Sequence, residues 1–318
     1  IDHSAPDLPE RLRALGIGLL IHTAGPFQAQ GYRVAEAAAA AGAHYIDLAD
    51  GRRFVCDFAA ALDPLFKAAG RTAISGAGTV LALSSAVVGH LCAGWQRIDT
   101  LDTCIAPAQT APRGEATLAG VLSYCGEDLA VWEGGRWQTR RGWAKPEPVQ
   151  FARLRPRLGA LCDIPDLELF PAHYGVTQRV MFRAALEVGL AQRVFAGLAA
   201  LRAAGLLSRP ERWAGLLNRF GGAFDFLGTA LGGMVVRVEG LDAQGRAARR
   251  AWHIAANNDH GPEIPCMAAI LLARRLAHGD TTLPQGAMAC TGLVTLAEFE
   301  PEFARWGMVC DTVKEAAP

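Results

Sequence analysis

The chain has 318 residues, a length that predicts about two domains. Its formal net charge is +0, with 31 basic and 31 acidic residues, so the overall charge argues against a general affinity for nucleic acid or acidic membranes. Hydrophobic residues make up 51% of the chain, enough for a large core, and no apolar run reaches the roughly 18 residues of a membrane span.

The cysteine pattern indicates a reducing compartment. Eight cysteines are scattered along the chain, and no C-x-x-C pair or Cys/His cluster occurs at metal-ligand spacing. No signal peptide is visible either. We therefore expect a cytoplasmic protein with free thiols and no metal site.

The first part of the chain alternates between helices and strands, as parallel βαβ units do. The expected helices cover residues 7–16, 30–42, 54–69 and 80–93. The expected strands cover residues 17–22, 44–48 and 72–75. This alternation predicts a parallel sheet over residues 1–95.

Each of these three strands ends in a loop of small or acidic residues. The loops follow the strands at residues 23–26, 47–51 and 75–78. Because the carboxyl ends of parallel strands meet at one edge of a sheet, the loops predict a single ligand-binding rim. An ordinary strand–helix turn explains any one loop, so the prediction depends on the recurrence.

The pattern changes after residue 95 to that of a mixed α+β domain over residues 96–256. Strands are expected at 98–105, 177–183, 233–240 and 249–255, with hairpin turns at Gly134-Gly135 and at 242–245. Helices are expected at 115–124, 188–205 and 210–219, and irregular structure at 143–159 and 163–171. In the last segment, 257–318, one helix is expected within 261–278, where prolines suit its start, and another at 295–306. Short extended pieces are expected at 286–293 and 308–313.

Several segments resemble the saccharopine dehydrogenase-like family. HTAGPFQAQGYRVAEAAAAAGAHYIDLADG, beginning at residue 22, resembles the second half of its nucleotide-binding domain. Further segments resemble later parts of such chains: ISGAGTVLALSSAVV, PRGEATLAGVLSYCGEDLAVW, CDIPDLELFP and HGPEIPCMAAILLARRLAHG. The similarity covers nearly the whole chain.

The resemblance implies an α/β plus α+β fold. It implies a partial Rossmann-type NAD(P)-binding domain over 1–95, a domain for substrate and dimerisation over 96–256, and C-terminal helices that return to the first domain. It also implies NAD(P)-dependent hydride transfer to or from an imine or secondary amine of an amino acid. The partners expected are a small-molecule substrate and a second copy in a homodimer, without nucleic acid or membrane.

One departure from the family concerns the cofactor. The family's opening strand, Gly-rich phosphate loop and ribose-reading residue have no counterpart here, and no G-x-G-x-x-G follows any strand. By analogy about 60 to 70 residues are expected to be missing in front, roughly the size of a βαβ unit and more. The choice between NAD and NADP stays open, and the chain alone is expected to bind either poorly.

The candidate site residues come from the strand ends and two later loops. Cofactor contacts are expected from Thr23, Ala24, Gly25, Pro26, Phe27, Ser75 and Gly76. Asp47 and Asp50 suit a substrate ammonium, and Arg113 suits a substrate carboxylate. His260 is the candidate proton shuttle for reduction of an imine. Each has a structural alternative: a turn, a helix cap, a surface arginine or a structural histidine.

Two other functions remain open. The chain also fits a non-catalytic binding or scaffold protein, because a fold does not settle a function. A reductase of enoyl or lipid substrates is the third hypothesis, which an apolar inter-domain pocket without arginine would favour.

Overall fold

The computed structural model describes residues 2–112 and 114–315, except for the side chains of Phe220, Ala223 and Phe224. Four parallel strands form the first sheet, in the order β1-β2-β3-β12. These strands are β1 (Leu19–His22), β2 (His44–Asp47), β3 (Thr72–Ser75) and β12 (Gly286–Ala289). The helices of this part are α1 (Leu8–Ala14), α2 (Arg33–Ala40), α3 (Arg52–Ala68) and α4 (Ala82–Leu91).

A mixed sheet forms the second part. Its strands run in the order β13-β11-β10-β4-β9-β5-β6, and β8 joins β9 and carries β7. The ranges are β4 (Arg97–Ala106), β5 (Asp128–Glu133), β6 (Arg136–Arg141), β7 (Glu147–Val149), β8 (Arg157–Leu161), β9 (Arg179–Ala185), β10 (Gly232–Leu241), β11 (Ala247–Ala256) and β13 (Val309–Glu315). All neighbours are antiparallel except β4 and β9.

Six more helices surround the second sheet or return to the first. They are α5 (Glu115–Ser123), α6 (Asp166–His173), α7 (Gly189–Ala203), α8 (Ala214–Gly221), α9 (Ile264–Ala277) and α10 (Leu296–Arg305), with 3-10 turns at Pro210–Trp213, Gly222–Leu227 and Gly261–Glu263. Helix α9 packs on β1 and β2, and α10 packs on α4. No helix of the described residues is long and apolar enough to cross a membrane.

The predicted fold class is confirmed: a parallel α/β sheet is followed by a mixed α+β part, and the C-terminal helices return to the first sheet. The C-terminal segment nevertheless divides between the two sheets. Strand β12 completes the parallel sheet beside β3, whereas β13 pairs with β11 at the edge of the mixed sheet.

Two stretches that were expected to be irregular are ordered. Residues 143–159 include β7 and the start of β8, and residues 163–171 include most of α6. The prolines suggested a loop there, but Pro165 is the N-cap of α6, where a missing N–H is harmless. Leu167 and Phe170, three residues apart, bury one face of the helix and stabilise it.

Arg52 ties the parallel sheet to the second part of the chain. It lies at the start of α3 and only 8% of its side chain is exposed. Its Nε donates to Glu168 Oε2 at 2.8 Å, and its Nη1 donates to Asp163 Oδ1 at 3.1 Å and to the carbonyl oxygen of Ala130 at 2.8 Å. A planar guanidinium can donate to three acceptors at once. One side chain therefore connects α3 to β5, to the residue before the turn into α6 and to α6 itself.

Asp166 makes a second connection between the two parts, from α6 to the start of α4. Its buried carboxylate accepts hydrogen bonds from the backbone N–H of Leu81, at 2.9 Å, and from the Ser84 hydroxyl. Burial raises the pKa of Asp166 to about 7. Leu81 has a φ of 67°, a strained value for a residue other than glycine, and the bond from Asp166 stabilises that backbone at the start of α4.

The two neighbouring arginines of α3 give a matched test of this junction. Arg52→Met should lower the free energy of unfolding by about 3–5 kcal/mol, because it leaves the half-buried Asp163 without its cation and Glu168 with only the exposed Arg53. Arg53→Met should lower it by only about 0–1 kcal/mol, since the Arg53 side chain is 60% exposed although it also pairs with Glu168. Urea unfolding followed by tryptophan fluorescence measures both, and equal losses would contradict the role assigned to Arg52.

Candidate functional site

The three predicted loops lie side by side at one edge of the parallel sheet. The last residues of β1 and β2 are paired, His22 with Asp47, and β3 is paired with β2. We call the residues that follow these strands, 22–28, 47–51 and 75–78, the rim. The edge is therefore the one where parallel α/β sheets bind ligands.

The first loop is the most open part of the rim. Thr23, Ala24 and Pro26 are exposed, whereas Phe27 turns inward and is 5% exposed. Gln30 Nε2 donates to the carbonyl oxygens of Ala24 and Pro26, at 2.6 and 3.0 Å. One carboxamide thus holds both sides of the Gly25–Pro26 peptide bond, which is cis.

A histidine and a tyrosine lie directly beneath this loop. His22 is 4% exposed, and its Nδ1 lies 3.0 Å from the hydroxyl oxygen of the fully buried Tyr45. Its Nε2 has no hydrogen-bond partner among the described residues. Burial lowers the pKa of His22 and raises that of Tyr45, so both side chains are held neutral. Sequence reasoning missed His22, although it is the last residue of a predicted strand and leads directly into the first predicted loop.

Asp47 organises the second and third loops. It is fully buried, and its Oδ1 accepts hydrogen bonds from Ala49 N at 3.0 Å, Ser75 Oγ at 3.0 Å and Gly76 N at 2.8 Å. Its Oδ2 has no partner among the described residues. Burial raises the pKa of Asp47 to about 6, against the effect of these bonds. As a contact for a substrate ammonium, Asp47 stays a prediction, because the loops that it joins also cover it.

The third loop is closed. Ser75 and Ala77 have no exposed surface, and a Cβ atom at Gly76 would lie 3.0 Å from a methyl group of Leu81 and 3.3 Å from Val55. With a φ of 79°, Gly76 also has a backbone that favours glycine. Ser75 and Gly76 lie on the predicted rim, but their contact with a cofactor stays a prediction.

Asp50 is the rim carboxylate that remains half-buried. Its Oδ1 accepts a hydrogen bond of 3.1 Å from Gln28 Nε2, and burial raises the pKa of Asp50. Gln28 Oε1 is buried without a partner among the described residues. A Cβ atom at Gly51 would lie 3.2 Å from the backbone of Gln28, so the first two loops touch through their main chains.

Helix α5 of the second part packs against the rim at Gln28, the hydrogen-bond partner of Asp50. A Cβ atom at Gly120 of α5 would lie 2.9 Å from Gln28 Oε1, so this helix passes directly over the carboxamide. Tyr124, which follows α5, is 8% exposed, and its pKa is raised by burial and then by the nearby Cys162 and Asp50. Gln28, Asp50 and Tyr124 therefore form a polar cluster between the two parts, which we call the cleft cluster.

Two predicted residues are not placed in this cluster. Arg113 lies outside the described residues. His260 precedes the 3-10 turn before α9, and its Nδ1 lies 3.0 Å from the carbonyl oxygen of Trp306, whose ring it meets edge to face at 5.1 Å. The contacts described for the His260 ring are with Trp306, so its role as a proton shuttle stays a prediction.

The buried carboxylates predict how stability depends on pH. Asp47 and Asp166 keep their protons in the folded protein up to about pH 6 and pH 7, whereas the unfolded chain releases them near 3.8. Raising the pH through this interval should therefore lower the free energy of unfolding. Asp47→Asn and Asp166→Asn should each flatten the decrease, and the exposed Asp128→Asn should not. Urea unfolding at a series of pH values measures the slope, and a steeper decrease in either buried variant would contradict the assignment.

The comparisons with known proteins support the fold. No protein-family model and no curated protein sequence matches the chain. Among solved structures, apo saccharopine dehydrogenase (L-Glu forming) from Saccharomyces cerevisiae is similar over 99% of this chain and 88% of its own, with 11% identity and a TM-score of 0.64. An amine dehydrogenase from Mycobacterium smegmatis matches 57% of this chain and 62% of its own, with 12% identity and a TM-score of 0.34. The chain thus has a saccharopine dehydrogenase-like fold.

Proposed function

We propose that the chain acts in NAD(P)-dependent redox chemistry, the transfer of hydride to or from an amino-acid-derived imine or secondary amine. The observation that carries the proposal is the cleft cluster, since a half-buried carboxylate stands at the ligand edge of a parallel sheet, beside an open loop of small residues. The saccharopine dehydrogenase-like fold supports the same chemistry.

The open loop fits the nicotinamide end of a dinucleotide. Thr23, Ala24 and Gly25 have small side chains or none, so a flat ring can approach their backbone closely. Among the described residues no G-x-G-x-x-G turn, the pattern that suits a pyrophosphate, connects a strand to a helix. When bound, the nicotinamide would supply or accept the hydride, and the protein would orient the substrate against it.

Asp50 is the residue that we assign to the substrate nitrogen. A carboxylate accepts hydrogen bonds from an ammonium or iminium group, and these bonds are strong because both partners are charged. Gln28 already donates to one oxygen of Asp50 and so fixes the direction of the carboxylate. Burial raises the pKa of Asp50, so a bound cation would favour the ionised form that the site alone disfavours. Arg113 for a substrate carboxylate and His260 for the proton remain part of the proposal.

The closed third loop of the rim favours an alternative function, a non-catalytic binding or scaffold protein. Because Ser75 and Ala77 have no exposed surface, only two of the three loops are open to a ligand. A protein that kept the fold without turnover would tolerate such a rim. Following NADH or NADPH absorbance with pairs of amino acids and 2-oxo acids distinguishes the two functions, since a non-catalytic relative would oxidise neither cofactor with any pair.

Removing the charge of Asp50 tests the assignment. With cofactor in excess, Asp50→Asn should lower kcat/KM for a cationic substrate by roughly ten- to hundredfold, the value of a hydrogen bond between charged groups. Activity of the unchanged protein should rise with pH through the raised pKa of Asp50, and the variant should lose this rise. Steady-state rates across pH measure both effects.

Asp57→Asn is the matched control for this experiment. Asp57 lies on the outer side of α3, where its side chain is 56% exposed and contacts Arg53. It should leave kcat/KM and the pH profile unchanged. Unchanged kcat/KM in Asp50→Asn, together with an active parent protein, would remove Asp50 from the site without removing the oxidoreductase function.

Binding of the cofactor to this chain should be weak. Without a Gly-rich turn to hold the pyrophosphate on a helix N-terminus, the contacts left are those to the nicotinamide end. We expect isothermal titration calorimetry with NADH and with NADPH to give dissociation constants well above about 1 μM. Submicromolar affinity would mean that another part of the chain binds the phosphates.

A further inference from the structure

Residues 189–227 carry large apolar side chains on the outside of the molecule. The segment contains α7, α8 and the two 3-10 turns beside α8, and we call it the outer helical layer. Between 46% and 80% of the surface is exposed in each of these residues: Leu190, Val194, Leu201, Leu206, Trp213 and Phe226. A concentration of exposed apolar side chains in one segment marks an interaction surface.

The spacing places these side chains on the outer faces of the helices. Leu190, Val194 and Leu201 are four and seven residues apart along α7, so they share one stripe. On the opposite side of α7, Gln192 and Ala199 are buried. The stripe is therefore a surface that the described chain leaves uncovered.

Both helices are fixed to α5, which makes the layer one surface. From α7, Arg202 Nη1 donates to the carbonyl oxygen of Ser123, the last residue of α5, at 2.9 Å, and to that of Cys125, two residues later, at 3.2 Å. A Cβ atom at Gly215, in the first turn of α8, would lie 3.1 Å from the carboxylate of Glu115, at the start of α5. The two ends of α5 thus hold α7 and α8.

The layer is basic, although the whole chain is neutral. It contains five arginines and two acidic residues, Glu211 and Asp225. Arg202 pairs with Glu127. The other four, Arg193, Arg209, Arg212 and Arg219, are exposed, and no ion pair is described for any of them. Positive charge without a described counter-charge is therefore interleaved with the apolar side chains.

We propose that the outer helical layer docks on an anionic lipid surface, lying in the plane of the headgroups. The apolar side chains would enter the acyl boundary while the arginines contact lipid phosphates, the combination that interfacial helices use. A second copy of this chain fits the layer less well, because a twofold contact would bring the same arginines of both copies together. Nucleic acid would leave the exposed leucines and phenylalanine in water. The proposal does not depend on the redox activity.

Vesicle flotation tests this docking directly. The whole chain should float with vesicles of phosphatidylcholine and phosphatidylglycerol, stay unbound with phosphatidylcholine alone, and release as salt is raised. Arg193→Glu with Arg212→Glu should lower the partition coefficient by roughly tenfold or more. Leu206→Ser with Phe226→Ser should lower it by a similar factor, since both side chains would leave the acyl boundary.

Matched variants at other exposed positions control for general surface effects. Arg136→Glu on β6 and Leu15→Ser after α1 should bind vesicles like the unchanged chain, with the same thermal unfolding temperature. Three results would overturn the proposal: no binding to anionic vesicles, equal binding to neutral ones, or binding that the layer variants leave unchanged. A dimer that Leu206→Ser with Phe226→Ser dissociates, seen by light scattering without vesicle binding, would assign the layer to a second copy instead.

Discussion

The buried carboxylate of Asp47 is the interaction on which the rim depends. One oxygen accepts three hydrogen bonds, from Ala49 after β2 and from Ser75 and Gly76 at the end of β3, so these bonds connect the loops that follow the two strands. A carboxylate without such partners would be very unfavourable in a site with no exposed surface. These bonds therefore fix the direction in which the chain leaves β2, and with it the place of Asp50 and the start of α3.

The same constraint separates two kinds of carboxylate at one strand end. Asp47 is fully buried and accepts hydrogen bonds from backbone N–H groups. Asp50, three residues later, is partly exposed and accepts a hydrogen bond from the carboxamide of Gln28. A ligand needs an oxygen that is not already saturated by the protein. For this reason the chemistry that we propose is assigned to the second carboxylate, and structural organisation to the first.

Much of the fold could be predicted from the sequence, because buried parallel strands and amphipathic helices leave clear periodicity. Strand β3 lies at the expected residues 72–75, and the expected alternation of helices and strands is present. Helix α6 could not be predicted, since its stability comes from burial of Leu167 and Phe170 against other elements and its prolines suggest a turn. Local composition does not report such tertiary contacts.

The candidate site was less predictable for a related reason. Asp47 and Asp50 look alike in the sequence, and what separates them is Ser75 and Gly76, which come from another strand 28 residues further on. His22 could not be identified from the sequence, because the feature that distinguishes it is its contact with the Tyr45 hydroxyl on the neighbouring strand. Strand ends locate the edge of the sheet at which a site lies, whereas the packing of neighbouring strands decides which side chains at that edge stay open.

Helix α5 contacts both the cleft cluster and the outer helical layer. Its middle passes over Gln28 at Gly120, and its two ends hold the helices of the outer helical layer. A side chain at position 120 would displace the Gln28 carboxamide from Asp50, so the cleft cluster depends on where α5 lies. Since α7 and α8 contact the same helix, α5 is the element that the outer helical layer and the cleft cluster share. The neutral net charge of the chain conceals this arrangement, because the four arginines for which no ion pair is described lie together in the outer helical layer.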